Sequence, residues 1–175
     1  KPVTAAMVRK LGASGVLALS DHVFCTGNNA PCWLPANLLS ATSDSRAKDI
    51  TIQQLIAHQG GWYQDISGDP LNQEFEIKTL LQLSGPPTRE DIVRHVMKRP
   101  LDFTPGAPDY VHRNYTNFGY LLLGMVIEQA TLTDYTKYVQ MEIMAQLGVS
   151  ASDFKTAATP LLEHDAREPI YLFAE

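Results

Sequence analysis

The segment from Asn117 to Ala130 constrains the fold more than any other part of this chain. Its apolar residues recur at the spacing of one face of an α-helix, which predicts a helix that buries this face against a core. A polar stretch, Asn114 to Asn117, runs directly into this helix. The apolar residues of the buried face are Phe118, Leu121, Leu122, Met125 and Val126.

Four further helices are predicted from apolar spacing and from residues that start or stop helices. Glycine or proline ends each of them. Residues 25–48 are rich in turn-forming residues and predict a loop, and the segment "PIYLFAE" could begin a strand. We therefore expect one mainly α domain over residues 1–175, with at most a short hairpin or stray strand. The predicted helices run from the N-terminus to Gly12, from a Thr51/Gln54 capping box to Gly60–Gly61, from Thr88 to Pro100 and from Thr133 to Gly148.

Charge and hydropathy exclude several classes of partner. The chain has 14 Lys and Arg against 19 Asp and Glu, a net charge of −5, and no basic cluster, so we expect no nucleic-acid partner. No apolar run approaches the roughly 20 residues that span a bilayer, and no signal-peptide pattern is present.

The five histidines lack metal-ligand spacing, so neither a metal nor a cofactor is expected. Of these, His58 reads as a structural residue and His112 as part of a surface loop.

Two cysteines, Cys25 and Cys32, flank a turn-rich stretch. A short loop closed by a disulfide would indicate an oxidising compartment, which means a periplasmic or secreted protein. Two unpaired, partly buried thiols fit the same pattern, and two cysteines carry too little information to decide between these alternatives.

Tyr115 and Asn117 place a phenol and a carboxamide two positions apart at the head of the apolar helix. In an extended or turning backbone they point in roughly the same direction. The phenol can exchange a proton and the amide can fix a carbonyl or an ammonium, although a tyrosine with a pKa of about 10 needs a nearby cation to act as a base. The alternative is that Asn117 caps the helix and Tyr115 packs beneath it.

Several segments together resemble the serine β-lactamase and penicillin-binding-protein family, in particular its branch of class C β-lactamases, D-Ala-D-Ala carboxypeptidases and family VIII esterases. The segment "ITIQQLIAHQGGW" is similar to the family's "ITIRHLLTHTSGL" helix. The segment "LTDYTKYVQMEIMAQLGV" is similar to the helix that ends in the family's Leu-Gly-Met. The family's Tyr-Ser-Asn motif has threonine in its middle position here. The matching parts are Phe103, Pro105–Gly106, Tyr115-Thr116-Asn117, Gly119–Tyr120 and Leu122-Leu123-Gly124.

The resemblance implies a helical insertion domain of the β-lactamase/transpeptidase-like fold, with the family's sheet domain missing from this chain. It implies acyl transfer through a serine, hydrolysing a β-lactam, a D-Ala-D-Ala peptide or an ester. Lys1 would be the lysine of the S-x-x-K motif, with the serine three residues earlier. Lys1 and Tyr115 would be catalytic and Asn117 would bind the substrate or the lysine. The family's third motif, K-T-G or H-x-G, lies on a strand of the sheet domain. Without its serine and this third motif, the chain alone is expected to be inactive.

Alternatives remain open at this point. Lys1 could be an ordinary first residue with a solvated side chain. Two internal S-x-x-K matches, Ser45–Lys48 and Ser152–Lys155, are interpreted as coincidence, since the first lies in a polar loop and the second follows Tyr115 in the wrong order. The full-length parent protein to which the resemblance assigns this chain could also be a non-catalytic binding module. Alternatively, the chain could be an unrelated helical adaptor. Besides the acyl substrate, the expected partners are the missing sheet domain and, in a homodimer, a second copy of the chain bound through the exposed apolar face.

Overall fold

The structure is a computed structural model that describes residues 1–27, 29–40, 43–107 and 115–154. Contacts divide the chain into two units, Lys1–Tyr135 and Thr136–Glu175, and the single domain over 1–175 stays a prediction. The described residues are mainly helical, as predicted. Their helices are α1 (Pro2–Ala13), α2 (Ile52–Ile56), α3 (Gln64–Ser67), α4 (Glu74–Leu80), α5 (Arg89–Val96), α6 (Phe118–Thr131) and α7 (Tyr135–Val139), and their strands are β1 (His22–Phe24) and β2 (Cys32–Leu34).

Helix α6 forms the centre of the first unit. It contacts α1, α2 and β2, and the ring of Phe118 meets that of Trp62 edge to face at 4.7 Å between centroids. Each fully buried leucine of this helix contributes about 1.5–3 kcal/mol by leaving water. The apolar spacing therefore predicted the core element correctly. Leu121, expected on the buried face, is only half-buried, and Leu123 and Ile127 are buried without having been predicted. The side chains of α6 with essentially no exposure are Phe118, Leu122, Leu123, Val126 and Ile127.

Strand β2 corrects the expectation of a loop over residues 25–48, and its partner β1 lies just before that range. They pair in parallel, with His22 opposite Cys32 and Phe24 opposite Leu34, so they are not a hairpin. Strands of three residues are only about 7 Å long, which lets a short loop return the chain to the start of β2. Cys25 and Cys32, at the two ends of this loop, form a disulfide, so the paired alternative is the one observed.

Helices α2 and α5 begin at the predicted caps. Thr51 with Gln54, and Thr88 with Asp91, each form a capping box in which both side chains bind backbone amides. The end of α2 was predicted too late. The helix stops at Ile56 because His58 adopts the left-handed conformation, with a φ of 57°.

Gly61 lies beyond this helix end and serves the packing of the next turn. Its φ is 105°, and a Cβ there would lie 3.0 Å from Leu101 Cδ1. Only glycine fits such a position without strain. The two glycines thus allow a close turn after α2 rather than ending the helix itself.

Helices α3 and α4 were not predicted. Each begins without a side-chain cap, so the strongest sequence signal for a helix start is absent. The remaining short elements described in the first unit are 3₁₀ turns at Ala36–Leu38, Ser45–Asp49 and Pro70–Asn72.

The last predicted helix begins later than its expected cap. Thr133 donates its hydroxyl hydrogen to the Thr131 carbonyl, and the amide of Tyr135 donates instead to Glu128 Oε1 at 2.9 Å. Within the second unit, a π-helical turn at Gln140–Met144 and a 3₁₀ turn at Ala145–Leu147 follow, and Gly148 closes them with a φ of 74°.

Some sequence-based expectations lie outside the described residues: the loop position of His112, the end of the Ser152–Lys155 match and the strand in "PIYLFAE". Within the part of the chain that is described, no helix combines the length and apolar character needed to cross a membrane. The same residues contain no cluster of three or more His, Cys, Asp or Glu arranged to hold a metal ion.

Candidate active site

The start of α1 positions Lys1. Pro2 occupies the first turn of this helix, where its fixed φ and missing amide hydrogen are favourable. The carbonyl of Lys1 accepts a hydrogen bond from the amide of Ala5 at 2.9 Å. The face of α1 behind this turn is buried, at Thr4, Met7, Val8 and Leu11. The backbone of Lys1 is therefore fixed while its side chain projects outward.

The stretch Tyr115-Thr116-Asn117 is positioned by its middle residue. Thr116 is only 2% exposed, and its hydroxyl accepts a hydrogen bond from the amide of Phe118 at 3.1 Å. Asn117 already has helical φ and ψ and makes no side-chain cap, so the alternative in which Asn117 caps α6 is wrong. Thr116 performs the capping, which leaves the Asn117 carboxamide available for other contacts.

The three residues predicted as site residues lie together. The Lys1 ammonium is 4.6 Å from the centroid of the Tyr115 ring, a favourable cation–π distance. Lys1 also donates a hydrogen bond to Asn117 Oδ1. The Tyr115 hydroxyl donates to the same oxygen at 3.3 Å. A cation, a phenol and a carboxamide thus share one contact point, and Tyr115 is 41% exposed.

Two further rings complete the aromatic surroundings of Lys1. His58 lies between Tyr115 and Tyr120, with ring centroids 4.8 and 5.0 Å away. The Lys1 ammonium is 5.7 Å from the Tyr120 ring. The Tyr120 hydroxyl donates to the carbonyl of Ile56 at 3.1 Å, which ties α6 to the end of α2.

His58 is held in its neutral form. Burial lowers the pKa of the imidazole, and the positive charge of Lys1 lowers it further. Its Nδ1 accepts a hydrogen bond from the amide of Thr116 at 3.4 Å, so the neutral ring carries its proton on Nε2. Burial likewise raises the pKa of the Tyr120 phenol, with a smaller contribution from Tyr115. Tyr120 therefore remains protonated near neutral pH.

Asp69 reaches the site from a distant part of the chain. One carboxylate oxygen accepts a hydrogen bond from Asn117 Nδ2. The other accepts from the amide of Leu71 at 3.1 Å, at the start of the 3₁₀ turn. Asp69 was not predicted, since its only sequence signal is an Asp-Pro pair typical of turns. Tyr120 stood in the quoted motif without a role, and the contacts of His58 with the two tyrosines were also missed.

This arrangement can stabilise a charged lysine beside a phenol. Rings present their negative faces to the ammonium, and the carboxamide oxygen accepts its hydrogen. Such a cluster is suited to moving a proton to or from a neighbouring nucleophile. The internal match Ser45–Lys48 is different, because it lies in a 3₁₀ turn capped by Asp44.

The comparison with protein families decides the assignment. A model of the β-lactamase family matches residues 1–166 of this chain. The chain belongs to the β-lactamase family. The match includes Lys1, Tyr115 and Asn117, so the whole cluster lies within the region typical of β-lactamase family members.

Three individual proteins are similar to this chain over most of its length. The protein flp of Staphylococcus aureus (strain N315) is 26% identical over 168 residues, which are 95% of this chain and 28% of flp. A D-stereospecific amidohydrolase from Streptomyces sp. is 33% identical with a TM-score of 0.61, covering 85% of this chain and 40% of that one. The octameric penicillin-binding protein homologue of Pyrococcus abyssi, at 22% identity, supports the fold alone: its TM-score is 0.53, and the match covers 84% of this chain and 29% of that one. This chain thus spans less than half of each of these relatives.

Proposed function

We propose that this chain is the helical insertion domain of a serine hydrolase that cleaves acyl substrates through an acyl-serine intermediate. The observation that carries the proposal is the contact of the Lys1 ammonium with the Tyr115 ring and with Asn117 Oδ1. Had the ammonium lain on another face of the molecule, the proton-transfer role would have no structural basis.

In the proposed mechanism, Lys1 and Tyr115 share the proton of the serine hydroxyl. The serine attacks the substrate carbonyl, and its proton passes to this pair and then to the leaving group. Asn117 has its oxygen on Lys1 and Tyr115, so its first role is to hold the lysine, one of the two roles expected from the sequence. Backbone amides would stabilise the oxyanion of the tetrahedral intermediate.

The substrate class follows from the relatives and stays a proposal. A β-lactam, a D-Ala-D-Ala peptide and an ester all present a carbonyl that a serine can attack. The D-stereospecific amidohydrolase is the relative with 33% identity, so amides of D-residues are the first substrates to test. Localisation is proposed to be periplasmic or secreted, which the Cys25–Cys32 disulfide supports.

The chain by itself is proposed to be inactive, because the motif serine would precede Lys1 and the third motif lies on the sheet domain. The experiment incubates this chain with nitrocefin and with p-nitrophenyl esters. We expect equal, background rates for the wild type and for Tyr115→Phe. Turnover by the wild type above that of Tyr115→Phe would mean that the nucleophile lies within these 175 residues.

A longer protein that contains the serine three positions before Lys1 tests the catalytic role. We expect Tyr115→Phe to lower kcat at least about 100-fold, the usual contribution of general acid–base catalysis. Tyr135→Phe serves as the matched control and should retain activity, because the Tyr135 hydroxyl binds that of Thr4 rather than a residue of the candidate site. Equal activity of both variants would contradict the role of Tyr115. A residue other than serine at that position would favour the non-catalytic binding module.

The sheet domain of the same protein is the proposed partner. The first unit exposes large apolar side chains, including Ile66 at 68% and Phe75 at 84%, and the sheet domain would remove from water those that it covers. The isolated chain is proposed to form a homodimer through the same exposed apolar side chains. Static light scattering of the chain at high concentration measures the mass, and a clean monomer would contradict the dimer.

A further inference from the structure

The carboxamide of Asn117 lies between two opposite charges. Its oxygen faces the Lys1 ammonium, and its nitrogen faces the Asp69 carboxylate. An ammonium can only donate hydrogen bonds and a carboxylate can only accept them. The reversed orientation would place amide hydrogens against the ammonium and the carbonyl oxygen against the carboxylate. Both of these contacts are repulsive, so the charges select one orientation.

Asp69 can impose this orientation because the residue is itself fixed. Its Oδ1 accepts a hydrogen bond from the amide of Leu71 at 3.1 Å, and its carbonyl accepts from the amide of Asn72 at 3.0 Å. Pro70 follows directly and is buried. The carboxylate is therefore presented from a rigid turn, and only its Oδ2 points to Asn117.

Tyr115 and Lys1, the other two partners of Asn117, control the orientation of its carboxamide only weakly. The Tyr115 hydroxyl lies 3.3 Å from Asn117 Oδ1, but a hydroxyl can both donate and accept. It would therefore tolerate either orientation of the carboxamide. Lys1 has an exposed, flexible side chain, which costs conformational entropy to hold in place. Asp69 is the only charged partner of Asn117, among those described, that a short side chain and a turn hold in position.

We infer that Asp69 is a positioning residue for the candidate active site. It fixes the Asn117 carboxamide with Oδ1 toward Lys1 and Tyr115, and thereby keeps the ammonium over the phenol ring. The catalytic meaning of this role rests on the proposed function. The orientation itself does not, and it is measurable in the 175-residue chain without turnover.

The test uses NMR of the side-chain amide of Asn117 in this chain. In Asp69→Asn, the new amide can keep its oxygen on Leu71 and present its nitrogen to Asn117, so the Asn117 carboxamide should invert. The flexible Lys1 side chain should then leave Asn117, because an ammonium cannot accept the amide hydrogens. Nuclear Overhauser contacts from the Asn117 amide hydrogens to residue 69 should be lost, and contacts to the Tyr115 ring should appear. A merely structural Asp69 would leave these contacts unchanged.

Asp69→Ser provides a second variant that keeps the fold. Serine is a good cap for the Leu71 amide but has no carboxylate. We expect the Asn117 amide hydrogens to exchange with solvent about tenfold faster, the factor for losing one charge-assisted hydrogen bond. The matched control is Asp65→Asn, since Asp65 accepts from Tyr63 at 2.5 Å and does not contact Asn117. Its spectra should match the wild type.

The outcomes separate this inference from the proposed function. Wild-type contacts and exchange in both Asp69 variants would overturn the positioning role, whatever the enzyme activity. An inverted carboxamide in a chain whose full-length parent has no hydrolase activity would support the positioning role and overturn the function.

Discussion

Helices α5 and α6 begin in different ways. At α5, Thr88 and Asp91 both bind backbone amides of their own helix. At α6, the hydroxyl of Thr116 binds the Phe118 amide, and the next residue, Asn117, directs its side chain to Lys1 and Asp69. The start of α6 therefore assigns the stabilisation of the helix and the geometry of the site to different residues. One residue stabilises the helix, and its neighbour is left to organise the candidate active site.

Asp44 combines a cap and a long-range contact in one side chain, unlike either residue at the start of α6. It caps the 3₁₀ turn by accepting from the Arg46 amide at 3.0 Å, and it also accepts from the Leu101 amide at 3.1 Å. The Arg46 guanidinium binds the same carboxylate at 2.6 Å. One side chain therefore supports a local turn and a long-range contact, so its loss should cost more than the loss of a simple cap.

Asp44→Ala should produce the largest effect on stability. We expect the free energy of unfolding to fall by about 2–3 kcal/mol, since a cap and a hydrogen-bonded charge are lost together. Urea denaturation measures this change. Asp65→Ala is the control, because Asp65 contacts the Tyr63 hydroxyl at the surface, and it should change stability by less than about 0.5 kcal/mol. Equal effects of both substitutions would refute the special position of Asp44.

The same carboxylate predicts a dependence on acid. The Arg46 side chain, followed by the amides of Arg46 and Leu101, holds the pKa of Asp44 well below its usual range despite some burial. A lowered folded-state pKa means that this stabilisation is complete above the unfolded pKa of about 3.9 and is lost as the pH falls through the folded value. The stability difference between wild type and Asp44→Ala should therefore narrow below about pH 4, which denaturation at several pH values measures.

Thr116→Val should have the next largest effect. Valine keeps the shape but leaves the buried amide of Phe118 without its acceptor, so we expect a loss of about 1–2 kcal/mol. Thr116→Ser keeps the hydroxyl and should stay within about 1 kcal/mol of the wild type. Thermal and urea denaturation of both variants provide the measurement. A valine variant as stable as the serine variant would show that Thr116 does not cap α6.

Asn117→Ala should have the smallest effect on stability. Its carboxamide supports no backbone amide of α6, and its contacts with Lys1 and Asp69 lie partly exposed, where charged contacts contribute about 0–1 kcal/mol. The expected loss is therefore about 0.5 kcal/mol. Thr88→Ala, the matched substitution at a true cap, should cost about 1 kcal/mol. If urea denaturation gives equal losses, the contrast between the two helix starts is wrong.

The sequence predicted the elements that carry local signals. Helix α2 was found from its capping box, α5 from its N-cap Thr88 and the terminating Pro100, and α6 from its apolar face. Strand β2 was missed because three residues form a strand only through pairing with β1, a tertiary contact without a local pattern. Helices α3 and α4 were missed because they begin without side-chain caps, so no local signal marks their starts.

The residues of the candidate site likewise fall into those that a sequence motif marks and those that no sequence signal marks. Lys1, Tyr115 and Asn117 were identified from motifs whose order along the chain resembles a known family. Asp69 was missed because its contact with Asn117 joins residues 48 positions apart in the sequence. No propensity or spacing rule connects an aspartate in a turn to an asparagine in another element.

Residue 58 meets two requirements that rarely coincide. Its φ of 57° favours glycine, asparagine or aspartate, while its place between Tyr115 and Tyr120 favours a flat aromatic ring. Substitutions that relax the backbone remove the ring, and other aromatic residues keep the ring at the cost of strain. Few amino acids can therefore replace histidine here, and the evolutionary freedom of this position is restricted from two independent directions.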